Sequence, residues 1–232
     1  MPKFVSIEEA VKLIPDGATV MFGGFMGCGN AHKFIDALSK SGVKDLTMIS
    51  NDGACPIMNR DKEIVDYYGV AKLIHNKQIK KLIATHVGLN PEVATQSMVD
   101  GTLEVVLVPQ GSLAEMIRAG GAGLGGVLTP TGVGTIIEDS PFCLEKKNIN
   151  GKDYLLMAPV HADFAVICGA KIDKAGNVWY KGNTSNFNLV MATAADTVIA
   201  EAEEVVEIGE IPPEDVRTYG VFVDYVVEGG KL

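Results

Sequence analysis

The sequence predicts an α/β protein: an open, mainly parallel sheet with flanking helices and a small antiparallel hairpin element, in a single domain spanning residues 1–232. Three observations predict it. Short apolar runs alternate with helix-period segments, the pattern of parallel strands joined by helical crossovers. The first clear strand opens into Gly23-Gly24-Phe25-Met26-Gly27-Cys28-Gly29, with glycine at four of seven positions. Asn150-Gly151, set between two apolar runs, is a strong signal for a two-residue hairpin turn.

The elements follow in order. Ser6 and Glu9 have capping-box spacing ahead of Ala10, Val11, Leu13 and Ile14, so a short helix should end near Pro15-Asp16. Thr19–Phe22 then reads as a strand. After the glycine loop, Phe34, Ile35 and Leu38 recur at helical spacing, and Gly42 stands where a glycine closes a helix. Leu46–Ser50 predicts a second strand, the segment around Pro56 is irregular, residues 70–75 predict a helix and residues 81–85 a strand. Asn90 as N-cap with Pro91 at the first helical position starts another helix, which ends before Gly101.

Residues 104–108 predict a strand and residues 113–119 a helix, with Ser112 and Glu115 at capping-box spacing. Residues 120–135 read as a long loop, too apolar for a disordered linker. Residues 142–144 and 154–157 flank the hairpin turn. A strand at 164–168, a turn at Lys174-Ala175-Gly176-Asn177, a helix near 188–194 and a strand at 198–201 complete the predicted sheet.

Composition sets limits on function. With 232 residues, 47% of them hydrophobic and 21% charged, the chain can bury a substantial core. A net charge of -9 with only scattered basic pairs argues against a nucleic-acid face. Cys28, Cys55, Cys143 and Cys168 lie far apart, with no C-x-x-C pair and no histidine cluster at zinc spacing, so neither a disulfide framework nor a metal site is expected. The N-terminal residues lack the apolar core of a signal peptide, and no apolar run approaches the roughly 18 residues of a membrane span. The expected location is the cytoplasm.

Among the motifs, the glycine loop carries the most chemistry. Without a Cβ, glycine turns sharply, takes positive φ and brings backbone N–H donors against a ligand or a developing negative charge. Gly121-Ala122-Gly123-Leu124-Gly125-Gly126 matches G-x-G-x-x-G, but it follows a helix and precedes Thr129-Pro130, whereas a dinucleotide site needs a strand before and a helix after. No P-loop, H-E-x-x-H or G-x-S-x-G is present, so kinase, zincin and α/β-hydrolase readings lose their main support. His32, His75, His86 and His161 are separated and read as structural or surface residues. Glu201, Glu203, Glu204, Glu207 and Glu210 read as a solvated acidic stretch, and no carboxylate stands out as a nucleophile. Gln110 sits at the carboxyl end of a predicted strand, where open α/β sheets place ligands, and its amide can donate to a carbonyl or carboxylate oxygen. Ser112 is read there as a helix cap.

With these segments placed, the chain resembles the alpha subunits of the family I coenzyme A transferases acting on short-chain acids and 3-oxoacids. Asp16-Gly17, the apolar run after it, Gly23-Gly24-Phe25 and Gly29 fit that family's N-terminal signature. Gln110-Gly111 with Glu115, Ile117-Arg118-Ala119-Gly120-Gly121, Thr129-Pro130-Thr131-Gly132 and Asn186-Phe187-Asn188 follow its later blocks in order. Two positions depart: Ala31 replaces a usual proline, and Met26 stands where many relatives have glycine.

The resemblance implies a ping-pong exchange of CoA between an acyl-CoA and a free carboxylate, through a glutamyl-CoA thioester. The nucleophilic glutamate belongs to a Glu-Asn-Gly motif of a partner beta subunit, in an expected alpha2beta2 assembly, and this chain contains no Glu-Asn-Gly. CoA enters as substrate, and no metal or prosthetic group is expected. The resemblance assigns Gly24, Phe25 and Met26 to backbone contacts with the oxyanion or thioester, Gln110 and Asn51 to the crevice, and Gly23, Gly24, Phe25, Met26, Gly27, Cys28 and Gly29 to CoA binding. The alternatives are a sugar-phosphate isomerase or deaminase of similar architecture, and a non-catalytic acyl-CoA-binding regulatory module.

Overall fold

The computed structural model describes residues 1–61 and 63–230. Eight strands form its main sheet: β1 (Lys3–Phe4), β2 (Thr19–Phe22), β3 (Leu46–Ser50), β4 (Ile79–Ala84), β5 (Glu104–Leu107), β6 (Ala162–Gly169), β7 (Ala195–Ala202) and β8 (Tyr225–Glu228). The spatial order is β1-β8-β7-β6-β2-β3-β4-β5, and every neighbouring pair is parallel. The helices are α1 (Ile7–Val11), α2 (His32–Lys40), α3 (Ala71–His75), α4 (Pro91–Ala94), α5 (Gln110–Gly121) and α6 (Asn188–Met191).

Alternation along the strands sets the two layers. Val20, Phe22, Met48, Leu82 and Val166 bury one face in a core shared with residues of α1, α2 and α3. Met21, Ile49, Ile83, Ala165 and Ile167 bury the other against α5 and α6. A central parallel sheet needs cover on both faces, which is why these strands read as nearly continuous apolar runs.

Strand order also positions the site. From β2 the chain builds outward through β3, β4 and β5, then returns so that β6 pairs with the opposite side of β2. The direction of winding reverses there, so the loops leaving β2 and β6 diverge and open a crevice at the carboxyl ends.

Several local expectations need correction. The sheet does not end near Glu201: Tyr225–Glu228 adds a strand beside β7 and carries β1 at the edge. The helix expected at 113–119 begins at Gln110 behind an uncapped Pro109, so Ser112 lies inside it with a buried, unpartnered Oγ instead of capping it. The loop at 120–135 contains a strand, Val127–Thr129, paired to Lys152–Met157. The Pro56 segment contributes a small ladder, Ile57–Met58 with Ile64–Asp66. The capping box of α1 and the Asn150-Gly151 turn, with φ of 52° and 82°, match expectation.

Candidate active site

The glycine loop leaves β2 at Phe22, and Gly23 N–H still donates to Val166 O on β6 at 3.0 Å. Phe25 and Cys28 then exchange two backbone hydrogen bonds, of 3.0 and 2.9 Å, around Met26 and Gly27. Met26 at φ 49° and Gly27 at φ 86° make this a mirror-image turn, which needs positive φ at both central positions. Met26 is strained there. Its N–H is held by Asp52 Oδ2 at 2.8 Å, which offsets the strain. The ring of Tyr68 packs so closely on Gly27 that a Cβ would lie 2.3 Å from it. His32 Nε2 is 2.9 Å from Gly27 O, and burial pushes the His32 pKa down, so the neutral ring donates.

Three asparagines fasten the underside of the loop. Asn30 Nδ2 donates to Gly23 O at 2.6 Å. Asn188 is fully buried: Nδ2 donates to Gly29 O at 2.9 Å and Oδ1 accepts from Cys168 N–H at 3.1 Å. Asn186 Nδ2 donates to Cys28 O at 2.9 Å. The Asn186-Phe187-Asn188 block and the glycine loop, 158 residues apart in the Asn186 to Cys28 bond, are thus one structural unit.

A second set of polar groups approaches from β3 and β5. Gln110 Nε2 donates to Asn51 Oδ1 at 2.6 Å, and Asn51 Nδ2 donates to Asp52 Oδ2 at 2.7 Å. Asp52 Oδ1 takes the Ala54 N–H at 2.7 Å. Its carboxylate therefore accepts from Met26, Asn51 and Ala54, all N–H donors, which suits a buried charge.

Glu201 closes the arrangement from β7. The N-cap of α2, Ala31, has no side-chain cap, and the Glu201 carboxylate instead takes Phe34 N–H at 2.7 Å and Lys33 N–H at 3.3 Å. A carboxylate at a helix N-terminus satisfies orphan donors and complements the dipole. Burial raises the Glu201 pKa, and the two N–H bonds oppose that rise. The expectation of a solvated Glu201 is thus corrected: it is 3% exposed.

A crevice of about 390 Å³ lies over this frame, lined by Phe25, Gln110, Gly111, Arg118, Asn186 and Phe187 among others. Phe25 and Gln110 meet there, and Asn51 stands behind Gln110. Of the backbone donors expected at Gly24, Phe25 and Met26, the N–H groups of Phe25 and Met26 are occupied by Cys28 O and Asp52. Among the described residues, Gly24 N–H has no partner. Gly24 has φ 126°, and a Cβ would lie 2.0 Å from Asn30 Nδ2, so only glycine fits. Sequence reasoning missed Asp52, Asn30 and the capping role of Glu201. Asp52 had a signal, an Asn-Asp pair just past a strand end, whereas the partner of Glu201 lies 167 residues away.

Known proteins resemble the chain over nearly its whole length. The family model described as "Coenzyme A transferase" matches residues 4–229. The acetoacetyl-CoA:acetate/butyrate CoA transferase alpha subunit of Clostridium acetobutylicum is 46% identical over 226 residues, covering 97% of each chain. The alpha subunit of the acetate CoA-transferase of Escherichia coli K12 is 44% identical, covering 97% of this chain and 96% of that one. An acyl-CoA transferase of E. coli O157:H7, solved as a thioester complex with CoA, superposes with a TM-score of 0.83 at 23% identity. It shows the fold: the match covers 98% of this chain and 47% of that longer one. With a matched family model over nearly its whole length and two alpha-subunit relatives above 40% identity, the chain belongs to the coenzyme A transferase family.

Proposed function

We propose that this chain is the alpha subunit of a heteromeric CoA-transferase that moves CoA between a short-chain acyl-CoA or 3-oxoacyl-CoA and a free carboxylate. The nucleophilic glutamate comes from a beta subunit carrying Glu-Asn-Gly, in an alpha2beta2 assembly. Relatives named as alpha subunits of acetate/butyrate and acetate CoA transferases support both the substrate class and the need for a partner.

The observation that carries the reading is the make-up of the crevice. Its lining includes no carboxylate, and the nearby Asp52 carboxylate is taken up by three N–H donors. Gly24 N–H, next to the lining residue Phe25, has no partner among the described residues, and Arg118, which also pairs with Glu115 at 3.2 Å, is the one ionised group in the lining. Such a surface can stabilise an oxyanion and hold an anionic substrate, but it cannot supply the attacking oxygen.

In the first half-reaction the partner's carboxylate attacks the thioester carbonyl. The resulting tetrahedral oxyanion is where Gly24 N–H, with the Phe25 and Met26 backbone forming the rest of the loop, would act. Collapse of that intermediate expels CoA as the thiolate and leaves an acyl-glutamyl anhydride; the thiolate then attacks the glutamyl carbonyl, releasing the acid as its carboxylate and leaving CoA held as the enzyme's thioester. CoA itself is contacted along residues 23–29, and Gln110 with Asn51 shapes the acyl side. All four cysteines are free thiols, which suits a cytoplasmic enzyme. No helix among the described residues is long and apolar enough to cross a membrane.

An isomerase or deaminase would need an acid-base pair in the crevice, and the lining has neither carboxylate nor histidine. The test is reconstitution with a Glu-Asn-Gly subunit, scoring CoA transfer from acetoacetyl-CoA to acetate. Exchange by the complex and none by the chain alone is expected. Turnover by the chain alone, or CoA-ester binding without exchange in the complex, overturns the proposal.

A further inference from the structure

Asn30 is a buried polar residue that stability alone does not account for. Its Nδ2 donates to Gly23 O at 2.6 Å, while its buried Oδ1 has no partner among the described residues. The amide orientation follows from chemistry, because Gly23 O only accepts and would repel Oδ1 at that distance. An orphaned buried acceptor costs stability, so the side chain satisfies one carbonyl while leaving its own acceptor unmet.

The consequence lies in the next peptide. No peptide bond among the described residues is cis, so Gly23 C=O and Gly24 N–H point in opposite directions across one planar unit. Asn30 draws the carbonyl to its own side and thereby turns the N–H of the buried Gly24, next to the crevice-lining Phe25, away from itself. That N–H is the donor left without a partner. The fit is close, since any Cβ on Gly24 would meet Nδ2 at 2.0 Å.

The adjoining residue gives the reason this chain needs such a tie. Ala31 stands where the signature usually has proline, and it supplies no side-chain cap to α2. Without a ring to restrict the backbone between the loop and α2, a side-chain hydrogen bond performs that restriction. We propose that Asn30 is a positioning residue: it fixes the Gly23–Gly24 peptide so that Gly24 N–H faces the reacting carbonyl. This rests on the CoA-transfer reading above.

The experiment compares Asn30→Ala and the isosteric Asn30→Asp with wild type, each in complex with the Glu-Asn-Gly subunit. Thermal melts set an assay temperature at which all three are folded. Loss of an oxyanion donor typically costs about 10²- to 10³-fold in rate, so a misaimed donor is expected to lower kcat about 10- to 100-fold. KM for acyl-CoA should stay within about twofold, because the change is confined to transition-state stabilisation. Asn30→Asp, ionised, cannot donate and should be no more active than Asn30→Ala. Wild-type kcat in either variant, or a loss of CoA binding in step with kcat, overturns the assignment. A wild-type complex that exchanges CoA keeps the enzyme reading intact whatever the variants do, and one that does not fails that reading separately.

Discussion

Gln110 Nε2 donates to Asn51 Oδ1 at 2.6 Å, joining the carboxyl ends of β5 and β3 across 59 residues of sequence. Asn51 in turn donates to Asp52, and Asp52 holds Met26 N–H. The crevice wall and the glycine turn are therefore one hydrogen-bonded frame, and a fault at Gln110 reaches the loop through two side chains.

The first prediction follows from the direction of that chain. Gln110→Glu sets a carboxylate oxygen against Asn51 Oδ1, whereas Gln110→Ala only removes the bond. The expected order of kcat in the reconstituted complex is wild type, then Gln110→Ala, then Gln110→Glu, with the last at least about tenfold below wild type, an estimate in line with like-signed oxygens buried together. Steady-state kinetics decide it, and a Glu variant as active as wild type would contradict the frame.

Gly24→Ala tests the close approach at the loop. The new Cβ would meet Asn30 Nδ2, and φ 126° is strained for any side chain. A fall in kcat of about 10²-fold or more is expected from the displaced donor. Circular dichroism should show the sheet retained.

Ala31→Pro tests the departure from the family signature. Ala31 has φ -77°, inside the range proline imposes, and its N–H has no partner among the described residues. A compatible proline stabilises by about 0.4–1 kcal/mol through the unfolded chain. For a chain of this size that corresponds to a rise of roughly 1–4 °C in Tm. A fall in Tm would show that the ring does not fit beside the core at that position.

His32 gives a pH prediction. Burial lowers its folded pKa below the unfolded value of 6.5, opposed in part by the Gly27 carbonyl. The stability it contributes is therefore complete above about pH 6.5 and is lost as pH falls through the folded pKa. The Tm difference between wild type and His32→Gln should be largest above that pH and shrink on acidification. A difference that stays constant from pH 8 to 5 would sink the assignment.

What the sequence made legible was local. Thr19–Phe22 and Leu46–Ser50 appear with the expected bounds because each apolar run is flanked by turn residues. Gln110 and Asn51 are each expected at the crevice from the sequence, and the fold brings them into contact. Capping-box spacing also occurs inside a helix, as at Ser112, and here Pro109 sets the start. The cap that α2 does use comes from Glu201, far along the chain, so no local pattern could announce it. Tyr225–Glu228 was missed because two buried residues, Val226 and Val227, are too short a run to stand out.

The central claim is that this chain stabilises the charge and its partner creates it. The direct measurement is intact and peptide mass spectrometry of the complex after mixing with acetoacetyl-CoA and no acceptor acid. The expected result is a CoA adduct on the Glu-Asn-Gly glutamate of the partner and none on this chain. CoA bound covalently to any residue of this chain would contradict it.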